Sequence, residues 1–183
     1  MASSDNDTKG RIEVDNLKYR LLQIRGGELE IWKRSVLTDK ELFNQLYEMT
    51  FSPDHKIAWR ACWIVDNAAE DSPELLCSHI PEIVSRLAEE KSGSMKRHYT
   101  RILCRYQIPE ELLGRLVDIS FQLLSPNEDV AVRANVMQLL YNISQLEPDL
   151  KGELASVLET LLEEGGTPGI VSKASKLLKK LRI

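Results

Sequence analysis

The stretch Asp129–Ile143, DVAVRANVMQLLYNI, decides the fold of this chain. Its apolar residues recur every three or four positions, which places them on one face of a helix. Three other segments repeat this apolar spacing, and successive copies are offset by 38, 37 and 38 residues. The four sets are Ile57-Ala61-Val65-Ala68, Met95-Tyr99-Leu103-Tyr106, Val132-Val136-Leu140-Ile143 and Ile170-Ala174-Leu178-Leu181. A period of this length is typical of stacked helical repeats, in which each unit buries its apolar face only against its neighbours.

Residues of the types that cap helices support the same period. Three residues before each apolar set stands one of Asp54, Ser92, Asp129 and Thr167. Because such side chains accept hydrogen bonds from the first amides of a helix, each set is predicted to lie in the second helix of a unit. A capping box at Thr38–Glu41 is predicted to open the first helix of the array. A second apolar column, in the first helices, shares the offsets: Met49, Leu87, Leu124 and Leu162.

The repeats divide the chain into a regular array and an atypical beginning. The array at 38–183 is predicted to contain four helical hairpins, at 38–70, 74–107, 109–146 and 148–182. Residues 11–37 do not fit the template and are predicted to form an N-terminal helical cap, with helices over 12–24 and 28–36, because terminal repeats are atypical. Residues 1–10 hold almost nothing to bury and are expected to be a disordered tail. The predicted fold class is all-α, an α–α superhelix.

The third unit resembles the HEAT family of repeats. Its residues Asp129-Val130-Ala131-Val132-Arg133, followed by Val136 and Leu140, are similar to that family's second-helix pattern Asp-x-x-Val-Arg-x-x-Ala-x-x-x-Leu. Pro81 is the one plausible counterpart of the proline in the family's first helix. The resemblance covers about 38–182 and implies a scaffold for proteins or nucleic acids. A few bacterial members of this group are alkylpurine DNA glycosylases, so that activity is the alternative.

Composition excludes several classes of function. The three cysteines are widely spaced and form no CxxC pair, which favours free thiols over a disulfide framework or a zinc site. The polar, acidic start MASSDNDTKG is unlike a signal peptide, and no apolar run approaches the length of a membrane span. We therefore expect a cytoplasmic protein with no metal, no cofactor and no membrane partner. The sequence leaves the oligomeric state open.

Positive charge is concentrated in two of the second-helix segments. The segments 91–107 and 165–183 each carry a net charge of +5, whereas the first helices are acidic. Arg97, Arg101 and Arg105 are spaced four residues apart and are predicted to lie along one face, where they are either neutralised by a neighbouring helix or kept for an anion. Aligning the second helices gives three columns of non-core residues. They are Arg60/His98/Asn135/Lys173, Trp63/Arg101/Gln138/Lys176 and Asn67/Arg105/Asn142/Lys180.

Two tryptophans in the first unit lie away from the predicted core. On a helical wheel Trp59 and Trp63 fall on the side opposite Ile57 and Ala61, together with Asp66. Either the N-terminal cap covers the two rings, or they form an exposed aromatic anchor for a partner. In the glycosylase alternative, Asp66 would be the catalytic carboxylate beside a tryptophan wall.

The leading hypothesis is a non-enzymatic scaffold or adaptor that binds a protein partner along its second helices. The charge suggests an acidic or phosphorylated partner, and nucleic acid is the alternative ligand. The predicted binding residues are Trp59, Arg60, Trp63, Arg97, His98, Arg101, Arg105, Lys173 and Lys176.

Overall fold

The structure is a computed structural model that describes residues 16–182. Within that range the secondary structure is entirely helical, and the chain divides into two compact units between Leu75 and Leu76. The predicted all-α class is therefore confirmed for the described residues. The expectations for residues 1–10 and for Ile12 lie outside them.

In the first compact unit, the described residues form four α-helices. The described part of helix α1 covers 16–23, and a short 3₁₀ turn at Gly26–Glu28 follows it. Helices α2 (Leu29–Thr38), α3 (Lys40–Met49) and α4 (His55–Asp71) complete the unit. Both α2 and α3 pack against α4, so α4 is buried along a wide arc of its circumference.

The second unit contains three helical hairpins. Their helices are α5 (Ile80–Glu89), α6 (Gly93–Leu103), α7 (Glu110–Gln122), α8 (Val130–Ser144), α9 (Leu150–Glu164) and α10 (Pro168–Leu181). Each first helix packs against its own second helix, and the second helices also pack on one another, α6 on α8 and α8 on α10. Each hairpin lies within one of the units predicted from the sequence. Pro81 lies in the first turn of α5, where its missing amide costs little.

The repeated apolar columns form the core. In α8 the four residues from Val132 to Ile143 that define the column are at most 2% exposed. Two residues of the four sets are only half-buried: Tyr106, because α6 already ends at Leu103 and leaves this ring in the following turn, and Leu181, the last residue of α10.

Only two of the four predicted capping residues make a capping hydrogen bond. Asp54 accepts from the amides of Lys56 and Ile57, and Asp129 accepts from the amide of Ala131. Ser92 and Thr167 occupy the equivalent N-cap positions, but their side chains make no such bond.

The predicted capping box at Thr38 is wrong. Thr38 is the last residue of α2, and its hydroxyl donates back to the carbonyls of Arg34 and Ser35. Asp39 caps α3 instead, through a bond from the amide of Leu42. The preceding helix therefore extends two residues further than the predicted end at Val36, and the threonine is used inside it.

Candidate binding surface

The second helices of the second unit run side by side in the same direction. Near the start of α6, Lys96 contacts Glu128, which immediately precedes α8. At the end of α6, the carbonyl of Cys104 contacts Asn142, near the end of α8. Contacts between α8 and α10 follow the same order, from Gln138 with Lys173 to Tyr141 with Lys180.

A chain of side-chain hydrogen bonds crosses these three helices. The ammonium of Lys173 on α10 donates to Oε1 of Gln138 at 2.5 Å. Nε2 of Gln138 donates to Oδ1 of Asn142 at 2.8 Å, and Nδ2 of Asn142 donates to the carbonyl of Cys104 at 3.0 Å. The chain therefore links α10 through α8 to the C-terminal end of α6.

The chemistry of its two ends fixes the direction of this chain. A lysine ammonium can only donate, and a backbone carbonyl can only accept. Both amides between them must therefore present oxygen toward Lys173 and nitrogen toward Cys104. Each amide has used one of the two lone pairs on its oxygen and one of its two hydrogens, and the ammonium of Lys173 keeps two further hydrogens. The chain thus offers mainly donors to an incoming ligand.

Asn135 ties α8 to α6 in a similar way. Its Nδ2 donates to the carbonyl of Arg97 at 3.2 Å and to the hydroxyl of Thr100 at 3.1 Å. The thiol of Cys104 donates to the carbonyl of Asn135. Burial raises the pKa of Cys104 to about 12, so this thiol is protonated and unreactive at neutral pH.

The three helices of this surface carry no negative charge of their own. The helical segments α6, α8 and α10 contain no Asp or Glu. Glu128 pairs with Lys96 at 2.5 Å, and Asp129 pairs with Arg97 at 3.5 Å, both at the start of α8. The rest of the surface carries cations and amides: Arg101, Arg105, Gln138, Asn142, Lys173, Lys176 and Lys180. We call these seven residues the α6–α8–α10 face.

Lysines dominate the α10 side of this face. Burial is the main reason that the pKa of Lys173 is lowered, and the charges of Lys180 and Lys176 lower it further. Lys176 and Lys180 are exposed, and Lys180 also lies 5.7 Å from the ring centroid of Tyr141. Lys173 is half-buried and held in place, whereas Lys176 has no ion-pair partner among residues 16–182.

The predicted arginine row is only partly a binding surface. Arg97 is exposed but already pairs with Asp129, so a neighbouring helix supplies its counter-charge. Arg101 is half-buried on α6. The prediction that Arg105 continues the same helical face is wrong, because α6 ends at Leu103 and Arg105 lies in the turn beyond it.

His98 is not available as a surface residue. The prediction placed it on the binding face, but its side chain is buried, at 7% exposure. The structure therefore removes His98 from the candidate site.

The first unit holds the two predicted tryptophans together. The rings of Trp59 and Trp63 are stacked, with centroids 6.2 Å apart and planes 5° from parallel, and both residues are half-buried. Arg60, between them in sequence, donates to the carbonyl of Leu21 in α1 at 2.7 Å. The guanidinium of Arg60 is thus engaged by α1, while part of each tryptophan ring remains exposed to solvent.

Asp66 does not share the exposed face of the tryptophans. Its side chain is fully buried, because α4 is covered by both α2 and α3. The prediction that placed Asp66 beside an open tryptophan wall is therefore wrong. A carboxylate buried inside the unit cannot support a sugar bound at its surface.

The binding residues predicted from the sequence do not include the two amides that organise the face, Gln138 and Asn142. Gln138 and Asn142 stand in columns where the neighbouring second helices carry Arg101 and Lys176, or Arg105 and Lys180. The sequence feature that could have identified them is the amide that replaces a cation in two columns of the third repeat. Tyr141 of α8 also borders this face, half-buried beneath Lys180.

Two simple classes of site find no support in the described part of the chain. No group of three or more His, Cys, Asp and Glu side chains in residues 16–182 is placed to hold a metal ion. No helix described there has both the length and the apolar character needed to cross a membrane.

Paired helices whose second members stack in parallel define a helical-repeat protein, a class that presents side chains along a repeated surface. The profile of the HEAT repeat domain matches residues 21–181, so the chain belongs to the HEAT repeat family. The match begins inside the segment predicted to be an N-terminal cap. No curated protein and no solved structure shows significant similarity to the chain.

Proposed function

We propose that this protein is a non-enzymatic scaffold that binds an acidic segment of a partner protein on the α6–α8–α10 face. The observation that carries the proposal is the charge of that face. Three parallel helices without a carboxylate bring cations from α6 and α10 to both sides of two amides on α8. Positive potential of this kind steers and orients an anionic partner.

The hydrogen-bond chain supports an anionic ligand rather than a neutral one. Gln138 and Asn142 each keep one unused amide hydrogen and Lys173 keeps two, so the chain has more donors than acceptors left for a ligand. Lys173 is held by Gln138, so less side-chain entropy is lost when an anion binds it. The stacked Trp59 and Trp63 are proposed as a separate aromatic contact of the first unit, since half-open aromatic rings are frequent hot spots of protein interfaces.

A matched pair of substitutions on α8 tests this proposal. Gln138→Glu adds one carboxylate in the middle of the face, whereas Gln145→Glu adds the same charge at the exposed end of α8. The probe is a fluorescein-labelled deca-glutamate peptide, and its binding to the full chain is measured by fluorescence anisotropy. We expect Gln138→Glu to weaken binding about tenfold and Gln145→Glu to change it less than about twofold.

Nucleic acid is tested in the same assay with a labelled DNA duplex. Binding driven by phosphates appears at low salt and falls steeply as salt increases. No deca-glutamate binding, or equal effects of the two substitutions, would reject the proposed surface. Duplex binding that is tighter than peptide binding at moderate salt would favour a nucleic-acid-binding protein instead.

A further inference from the structure

Three lysines of α10 lie on one side of that helix within a short distance. With 1.5 Å and 100° per residue, Lys173 and Lys180 are about 20° apart around the axis and about 10 Å apart along it. Lys176 lies between them along the axis, and it is about 60° from Lys173 and about 40° from Lys180 around the axis. Lys179 is about 120° from Lys173 and therefore faces another direction, although it is exposed like Lys176 and Lys180.

The surroundings of these lysines concentrate their charge. Lys173 is anchored to Gln138, which orients its ammonium toward the α8 side of the face. Lys180 lies over the ring of Tyr141 on α8, so it is directed to the same side. The carboxylates of Glu128 and Asp129 are used by α6 at the opposite end of α8.

The geometry points to a phosphate-binding subsite: a phosphorylated serine or threonine of the bound partner segment contacts Lys173, Lys176 and Lys180. This inference rests on the proposed function, since it names the group that the α10 side of the face would select. The phosphate binds there non-covalently, through hydrogen bonds from the ammonium groups and from the spare hydrogen of Gln138.

A phosphate monoester matches this subsite better than a carboxylate does. It carries a charge of about −1.5 to −2 and three strong acceptor oxygens, whereas a carboxylate carries −1 and two oxygens. Three ammonium groups spread over about 10 Å can each reach a different oxygen of one phosphate or its flanking residues.

Duplex DNA matches it less well. DNA presents one charge for about every 1.7 Å of its axis, so it favours a long basic surface. The basic surface here is short, because Glu128 and Asp129 neutralise Lys96 and Arg97 at the other end of α8. A single dianionic group fits such a compact cluster.

The test compares three labelled peptides that differ at one position. They have the sequence Gly-Glu-Gly-X-Gly-Glu-Gly, with X as phosphoserine, serine or glutamate, and the full chain is titrated at constant ionic strength. We expect the phosphoserine peptide to bind about tenfold more tightly than the glutamate peptide. Lys176→Gln should weaken phosphoserine binding about fivefold, whereas the control Lys179→Gln, which removes one charge from the same helix, should change it less than about twofold.

The outcomes separate this inference from the proposed function. If deca-glutamate binds but the phosphoserine peptide binds no better than the glutamate peptide, the subsite is rejected and the scaffold proposal stands. Equal losses from Lys176→Gln and Lys179→Gln also reject the subsite, because they indicate attraction to overall charge. If neither deca-glutamate nor the glutamate peptide binds, the acidic-partner proposal fails. In that case the subsite is supported only if the phosphoserine peptide binds and Lys176→Gln weakens its binding, and it is rejected otherwise.

Discussion

The four equivalent N-cap positions allow one structural conclusion to be measured directly. Asp129 accepts a hydrogen bond from the amide of Ala131 at 2.8 Å and pairs with Arg97 at 3.5 Å. Thr167 is the N-cap residue of the second helix in the next repeat, but its side chain makes no capping hydrogen bond. Replacing Asp129 with alanine should therefore destabilise the protein, and the same change at Thr167 should have little effect.

The expected free-energy changes follow from these contacts. Loss of an N-cap bond costs about 1 kcal/mol. The Arg97 pair is largely exposed, so it adds at most about 0.5 kcal/mol. Asp129→Ala should thus lower the free energy of unfolding by about 1 to 1.5 kcal/mol, and the melting temperature by about 3 °C for a chain of this size. Thr167→Ala should cost less than about 0.5 kcal/mol.

Urea denaturation followed by far-ultraviolet circular dichroism gives both values. Asp129→Asn is the control, because it keeps an oxygen that can accept from Ala131 and removes only the charge that pairs with Arg97. Asp129→Asn should lower the free energy of unfolding by about as much as Thr167→Ala does. If Asp129→Ala and Thr167→Ala destabilise the chain equally, the capping bond does not distinguish these positions and the reasoning is refuted.

Three further predictions concern the tryptophans and the thiols. Trp59→Ala should lower the free energy of unfolding, measured by urea denaturation, by about 2 kcal/mol, because its ring is half-buried. Trp32→Ala removes a buried ring and should lower it by about 3 to 5 kcal/mol. Equal losses would place Trp59 in the core. Cys77 is exposed and should react first with a disulfide reagent, ahead of Cys104, whose thiolate fraction at pH 8 is about one in ten thousand. Because the pKa of Cys104 is raised in the folded state, the buried thiol keeps its proton at pH values where the unfolded chain loses it, and its contribution to stability is lost between about pH 9 and 12. The free energy of unfolding of the wild type should therefore fall more between pH 8 and 10 than that of Cys104→Ala. Identical losses would show that this thiol is not protected.

The sequence was sufficient to predict the repeated core, because the helical period acts through a few apolar residues in each unit. Val132, Val136 and Leu140 needed only the spacing that buries one face of a helix. The period also separated the first helices from the second ones.

The predictions failed where burial depends on more than one neighbour. A helical wheel assigns one buried face to α4, but α2 and α3 both cover this helix, and Asp66 lies in the widened buried arc. Arg105 was misplaced for a different reason: no glycine or proline marks the end of α6, and Pro109 is the first such residue after Leu103. Helix ends set by packing leave little trace in a single sequence.

One column of the repeat explains which surface residues remain for function. Asn135 on α8 donates to the carbonyl of Arg97 on α6, the preceding second helix, whereas Arg60 of the same column donates to the carbonyl of Leu21 in α1. Lys173 donates to Gln138 on the preceding second helix. A long polar side chain at this position is therefore used to join a helix to its predecessor, and this stacking role takes part of its hydrogen-bonding capacity.

In the proposed binding mode, exposed lysines of the adjacent columns contact the partner. Lys176 and Lys180 come one and two turns later on α10, where their side chains are exposed. Substitutions at Lys173 should thus disturb both the stacking of α10 on α8 and the binding of an anion, whereas those at Lys176 should change binding alone. In this proposal one helical turn separates Lys173, which is used for stacking, from Lys176, which remains exposed for a partner.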